Sequence, residues 1–196
     1  MGHLAKMSTS VDKKRLSAAE SRARILSAAR TAFTRAGYDA VGVREIAALA
    51  GVDPAMVPRL FGSKDALFKI IADEAFGLEP FFEGPVEGLG ERIARALLGP
   101  VRRPDPEVFD EFGFLLRSVG SPVAAPILSA ALHADFVEPL SARMNGADAH
   151  ARAALITAYI LGFAVLRAAL GSPALDEAEP QLIVNRLGAA IQACLI

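Results

Sequence analysis

Apolar residues recur at helical spacing through most of the chain, and the period-two alternation of half-buried strands is scarce. Across residues 18–36, Ile25, Leu26, Ala29, Ala32 and Phe33 form one stripe, with Arg22, Arg24, Arg30 and Arg35 on the rest of the surface. Gly37 then ends the helix. Ile46, Ala47 and Ala50 share a face over residues 43–50. Gly42 stands at the N-cap of that segment, Glu45 lies in its first turn beside the exposed amides, and Gly51 follows its last periodic residue. Asp53 is placed to cap a third short helix that takes Pro54 in its first turn. A fourth helix is expected from Ser63 to about Phe76, with Leu67, Phe68, Ile71 and Ala75 inward.

The Gly- and Pro-rich stretch 77–90 reads as a linker and domain boundary. Beyond it, residues 91–99 predict a short helix broken at Gly99-Pro100. Residues 107–118 predict another, with Val108, Phe109, Phe112, Leu115 and Leu116. Residues 124–144 are helical, and Pro139 predicts a kink or break near Glu138. The longest apolar helix covers 147–170, with Leu155, Ile156, Tyr159, Ile160, Phe163 and Leu166, and ends at Gly171 and Pro173. A last amphipathic helix over 177–195 aligns Leu182, Ile183, Leu187, Ile191 and Leu195.

Composition sharpens this into an all-α protein. Of 196 residues 53% are hydrophobic and none is Trp, and alanine and leucine dominate the periodic segments. Cys194 is the single cysteine, so no disulfide framework forms within one chain, which fits a reducing compartment. The net charge of −1 conceals a polarity: residues 1–70 carry 12 Lys/Arg against 6 Asp/Glu, while the remainder carries 9 against 16. A basic head on an acidic body suits a nucleic-acid-binding unit joined to a second domain. The organisation expected is a basic arm over 1–17, a head over 18–76 and a body over 77–196.

Residues 1–16 lack the apolar run of a secretory signal. The longest uncharged stretch, 153–166 between Arg152 and Arg167, is 14 residues. That falls short of the ~20 needed to cross a bilayer and reads as a buried core helix, so the expectation is a cytoplasmic protein with no membrane partner. His3, His133 and His150 are scattered, and no phosphate-binding loop, nucleophile elbow or metal-ligand spacing occurs. No enzyme, metal or cofactor is expected.

Residues 42–62, GVREIAALAGVDPAMVPRLFG, have the helix–turn–helix layout within the basic head. By themselves they fit a major-groove reader or an ordinary helical hairpin. The longer run SRARILSAARTAFTRAGYDAVGVREIAALAGVDPAMVPRLFGSKDALFKII resembles the DNA-binding domain of the TetR family of transcriptional repressors. Ile25-Leu26, Ala28-Ala29, Phe33, Gly37-Tyr38, Val43 to Ala47, Ala50 to Val52, Phe61 and Ser63 to Leu67 carry the resemblance, in register over about residues 20–70.

The resemblance implies an N-terminal three-helix helix-turn-helix DNA-binding domain and a C-terminal helical ligand-binding and dimerisation domain. It implies that Pro54 to Leu60 lie in the major groove of double-stranded DNA, with Arg44, Pro54, Ala55, Met56, Pro58, Arg59 and Lys64 as contacts. Arg44 would reach a phosphate or base edge and Lys64 a phosphate. Arg59 is the candidate for base readout, because a guanidinium pairs bidentately with guanine. It further implies a homodimer through the last two helices, a palindromic operator, and release by a small-molecule effector held among apolar groups. Phe109, Phe112, Leu115, Arg117, His133, Phe136, Tyr159 and Phe163 are the candidate pocket. The chain departs from the family pattern at Gly42, where a Ser or Thr cap is usual, and at Pro58, where a residue that reaches DNA is usual. Pro58 favours an alternative: a helical ligand- or protein-binding module whose head no longer reads a specific operator.

Overall fold

The computed structural model describes residues 17–76, 82–99 and 109–196. The expected basic arm up to residue 16, residues 77–81 of the linker, and Val108 lie outside the described residues.

Helix α1 runs Ala18–Ala40 and begins at a reciprocal cap. The Glu20 amide donates to Ser17 Oγ at 3.1 Å, and the Ser17 amide donates back to Glu20 Oε2 at 2.7 Å. That second bond holds the Glu20 carboxyl below its ordinary pKa. The break at Gly37 is present: its φ of 77° and ψ of 174° are non-helical, and one more turn follows to Ala40. Helix α2 covers Val43–Ala50. It ends as the sequence requires, with Gly51 left-handed at φ 66° and the Val52 amide reaching back to the Ala47 carbonyl at 3.0 Å. Helix α3 is Met56–Phe61 and α4 is Lys64–Ala75, capped by Ser63 Oγ accepting from the Ala66 amide at 3.0 Å.

The inward faces of α1, α2 and α4 bury the residues their periodicity marks: Ile25, Ala29, Phe33, Ile46, Ala47, Leu67, Phe68 and Ile71 are each fully enclosed. Phe33 and Tyr38 meet Phe68 edge-on at 5.1 and 5.0 Å, and Phe68 stacks on Phe114 at 4.6 Å. Phe114 belongs to α6 (Glu111–Ser118), so one aromatic cluster joins head and body.

The body contains α5 (Leu89–Leu97), α6 (Glu111–Ser118), α7 (Ala124–Leu132), α8 (Glu138–Ser141), α9 (Ala149–Ala164), α10 (Pro173–Asp176) and α11 (Pro180–Leu195). Helix α5 starts two residues earlier than the pattern predicted. Helix α6 starts at Glu111, where Asp110 Oδ1 accepts from the Gly113 amide at 2.9 Å. The short α10 has no counterpart in the sequence reading. Helices α5 and α11 cross in near backbone contact, because Gly90 and Gly188 face each other there: a Cβ on Gly90 would lie 2.3 Å from the Gly188 carbonyl oxygen.

The disruption predicted by Pro139 is a single widened turn rather than a break. Residues His133–Val137 form a π-turn closed by the Glu138 amide on the His133 carbonyl, and α8 resumes with Pro139 in its first turn. A second π-turn, Val165–Ala169, prolongs α9.

The run Ala149–Ala169 corrects the reading of this segment as a core helix. It is 21 residues long and apolar enough by length and composition to cross a membrane, and of its most apolar 18 residues only 39% are buried. Its inner side, with Ala153, Ile156 and Ile160, packs into the body, while Leu155, Tyr159 and Leu166 are exposed. Counting apolar residues could not separate these two sides.

Candidate nucleic-acid interface

Helices α2 and α3 are set at their angle by buried side chains on both: Ile46 and Ala47 from α2, Val57 and Phe61 from α3. What remains outside is the candidate reading surface. Pro54, Ala55, Pro58 and Arg59 are exposed on α3 and the turn before it, and Arg44 is exposed at the start of α2.

The expected first helical position of Pro54 is corrected. Asp53 Oδ1 does accept from the Ala55 amide, at 2.8 Å, but Pro54 and Ala55 form a turn and the helix begins at Met56. Pro58 is therefore the third helical residue. An amide there would belong to the first turn, where backbone donors need no partner within the helix. The Pro54 carbonyl it would have met already accepts from the Val57 amide at 3.3 Å. So α3 is neither broken nor shortened by Pro58, and the Gly62 amide closes it on the Pro58 carbonyl at 2.9 Å.

Two nominated contacts also have partners inside the head. Met56 is half-buried and packs against the core, because the first turn of α3 points it inward. Lys64 is half-buried, and its ammonium donates to the carbonyls of Tyr38 and Val41, each at 3.1 Å. The same nitrogen lies 3.9 Å above the Tyr38 ring. Two of its three donors thus hold the end of α1 against the start of α4.

Tyr38 is the residue the sequence reading undervalued. Its phenol donates to the Asp65 carboxylate, and its amide donates to Ser118 Oγ on α6 at 3.2 Å. Burial first, and then the bond to Asp65, push the phenol well above its ordinary pKa, so it stays a donor. Ser121 Oγ donates to Asp39 at 2.8 Å beside it. The Gly-Tyr pair was visible in the sequence. Its partners, 27 and 80 positions away, were not.

The eight candidate pocket residues do not gather around one cavity. Phe109 packs on Phe114 at 5.5 Å, on the side facing the head. Leu115 is buried, Phe112 and Phe163 are half-buried, and Arg117 is exposed. His133 is exposed, with Nδ1 2.9 Å from the Ser129 carbonyl, and Phe136 packs on Phe82 at 6.1 Å. Tyr159 is 41% exposed on the outside of α9. A shallow cleft of about 260 Å³ lies instead between α5 and α11, against Glu91, Asn185 and Gln192, and one of about 120 Å³ lies beside Arg167 and Asp176. None of the eight lines either cleft. Aromatic composition located the apolar content of the body but not the direction each ring takes.

No group of His, Cys, Asp and Glu suited to a metal ion occurs among the described residues.

The comparisons agree with this arrangement from both ends of the chain. A family model described as bacterial regulatory proteins, tetR family, matches residues 25–71, and one described as tetracyclin repressor-like, C-terminal domain, matches residues 87–195. Among solved structures the chain is similar to a TetR-family regulator, SCO0857, from Streptomyces coelicolor A3, with 27% identity, 93% of this chain and 98% of that one covered, and a TM-score of 0.56. It is similar to the multidrug binding protein EbrR complexed with imidazole, with 21% identity, 88% and 90% covered and a TM-score of 0.65. It is also similar to NalD of Pseudomonas aeruginosa, the secondary repressor of the MexAB-OprM multidrug efflux pump, with 18% identity, 91% and 98% covered and a TM-score of 0.61. Among curated proteins no match is found.

Proposed function

Because this chain belongs to the TetR family of DNA-binding transcriptional regulators, we propose that it is a cytoplasmic homodimeric repressor that leaves a palindromic operator when a small apolar molecule binds its body. We take residues 18–76 as the DNA-binding head and 77–196 as the effector-binding and dimerisation body.

The observation that carries the reading is the exposed set Arg44, Pro54, Ala55, Pro58 and Arg59 on the outer side of α2 and α3, with Val57 and Phe61 buried behind it. A short, rigidly seated helix with one free arginine is what direct readout in a major groove needs. Arg59 takes the base contact and Arg44 a phosphate, while the first amides of α4 face the backbone of the duplex. Lys64 and Met56 serve inside the head.

Dimerisation is supported by the unpartnered apolar side of the body: Leu155 is 53%, Leu166 49% and Leu182 51% exposed, on α9, its π-turn and α11. Gly162, Ala189 and Ala193 lie exposed among them and permit close helix approach. A second copy seated there would space two heads along one face of a duplex. An effector acts by linkage: it binds better to the body of a dimer whose heads are badly spaced. That EbrR is described as a multidrug binding protein and NalD as the repressor of a multidrug pump supports an apolar effector.

The test is selection from a randomised duplex pool, followed by affinity measurements on the enriched sequence. A palindromic motif bound roughly 10³-fold more tightly than random duplex is expected. Arg59→Ala should lower that ratio at one position of each half-site, by about ten- to a hundredfold, while sparing random duplex. Equal binding of every sequence by the wild-type protein would overturn the reading.

A further inference from the structure

Helix α3 is six residues long, well below the length at which a helix holds itself together in water. It has no side-chain N-cap, and its own amide–carbonyl pairs are few. Something outside it must hold its ends. The start is tied through Asp53, as described. At the other end the last carbonyls have no partner within the helix.

One of those carbonyls is met by a side chain from another element. Arg22, on the first turns of α1, donates from Nη1 to the Leu60 carbonyl at 3.2 Å, across 38 positions of sequence. Its guanidinium carbon lies 4.5 Å from the centroid of the Phe61 ring. Phe61 is itself 6% exposed, so the plane under the guanidinium is fixed by the core. Arginine suits both contacts, since its planar fork stacks on a ring while an edge donor reaches a carbonyl. The cation also stands where the negative end of the short helix falls. On sequence grounds Arg22 is one more surface charge of a basic head; in the structure it closes the reading helix.

We propose that Arg22 is a positioning residue for DNA reading: it fixes the C-terminal end of α3, and with it the direction of Arg59, without itself neutralising a phosphate. The proposal rests on the DNA-binding reading above and makes that helix, rather than charge alone, the object Arg22 acts on. A phosphate contact and a positioning contact differ in what their loss does. Losing a phosphate contact weakens all duplexes alike and lowers the salt slope of binding by about 0.9. Losing a positioning contact spares the slope and lowers discrimination.

The experiment compares Arg22→Lys and Arg22→Met with the wild-type chain. Hydrogen–deuterium exchange in the absence of DNA should show faster exchange of the amides of Val57 and of residues 59–62 in both variants, with α4 unchanged. On the selected duplex both should bind about tenfold more weakly. Arg22→Lys should bind random duplex as the wild type does, and the salt slope of Arg22→Met should stay within measurement of the wild type. Phe61→Leu removes the ring but keeps an apolar side chain, and Arg22→Met should cost clearly less in that background. Unchanged exchange over 57–62, or a wild-type discrimination ratio in Arg22→Lys, overturns the proposal. So does a slope lowered by about 0.9 in Arg22→Met. Failure of the wild-type chain to discriminate any sequence would instead sink the repressor reading, while the exchange measurement would still decide whether Arg22 holds α3.

Discussion

Replacing Gly37 with alanine is the sharpest single test of how head and body are joined. Gly37 has φ 77° and ψ 174°, a region essentially reserved for glycine, and forcing another residue there costs about 1–3 kcal/mol. Space is the second obstacle. A Cβ at this position would lie 2.2 Å from the Arg117 carbonyl oxygen and 2.9 Å from its carbonyl carbon. Both are backbone atoms of α6, so no side chain can swing aside. Relief requires α1 and α6 to part by roughly an ångström, an overpacking cost of about 1–3 kcal/mol. That movement also stretches the 3.2 Å bond from the Tyr38 amide to Ser118. The two terms together come to about 4 kcal/mol, against a total stability of roughly 5–15 kcal/mol for a native protein. For a chain of this size the melting temperature should fall by about 8–16 °C. Gly120→Ala is the control: nothing lies within 4 Å of its Cβ position and its φ is not positive, so neither term applies, and it should melt level with the wild type or a few degrees higher. Circular dichroism melts of the two variants decide the matter. A Gly37→Ala protein that melts within about 2 °C of the wild type would refute the claim that α1 and α6 are locked in backbone contact there.

Two further outcomes follow from side chains already placed. Lys64→Ala should lower the melting temperature by about 4–8 °C, through loss of roughly 2 kcal/mol of charged hydrogen bonding to the Tyr38 and Val41 carbonyls, with the salt slope of DNA binding unchanged; a slope lowered by about 0.9 would show that its third donor reaches a phosphate. Leu155→Glu puts a charge in the middle of the exposed apolar side of α9 and should yield monomers in analytical ultracentrifugation that have lost high-affinity operator binding, whereas an unaltered dimer at micromolar concentration would move the interface elsewhere.

The legible parts of this chain are those whose cause is local. The stripe Ile25, Ala29, Ala32, Phe33 and the stripe Leu67, Phe68, Ile71 repeat at the helical period, and all are buried. Gly37 and Gly51 both mark ends, because a positive φ is needed within a residue or two of the stop. Causes that act across the chain left no such mark. Nothing beside Lys64 announces that its partners lie 26 and 23 positions back, and nothing beside Arg22 announces Leu60. Pro139 told of trouble in a helix but not its form, since a kink, a break and a π-turn all relieve a missing amide. The candidate pocket failed to converge for a related reason. The face on which an aromatic residue falls is readable from helical phase, but which neighbour covers that face is decided by α6 packing on α1 and by α7 and its π-turn packing on α4 and α9.

The structural link between the two domains is the neighbourhood of Tyr38. Its amide is held by Ser118 of α6, its carbonyl by Lys64 of α4 and its phenol by Asp65 of α4, while its ring lies between Phe33 and Phe68. Phe114 of α6 stacks directly on Phe68. A close-packed interior does not absorb a shift of α6 by local give, so the start of α4 and the end of α1 must move with it. In the repressor reading proposed above, the head takes one of two placements, and a body ligand and a duplex each prefer one. Linkage fixes the consequence: the factor by which a saturating effector weakens operator binding equals the factor by which saturating operator weakens effector binding. For a coupling of about 1–3 kcal/mol that common factor lies between about 5 and 150. Equilibrium titrations run in both directions, with the first compound found to displace the selected duplex, give the two factors independently. An operator affinity that keeps falling in proportion to compound concentration, with no plateau, would mean that the displacing compound competes for α3 itself rather than acting through α6 and Tyr38.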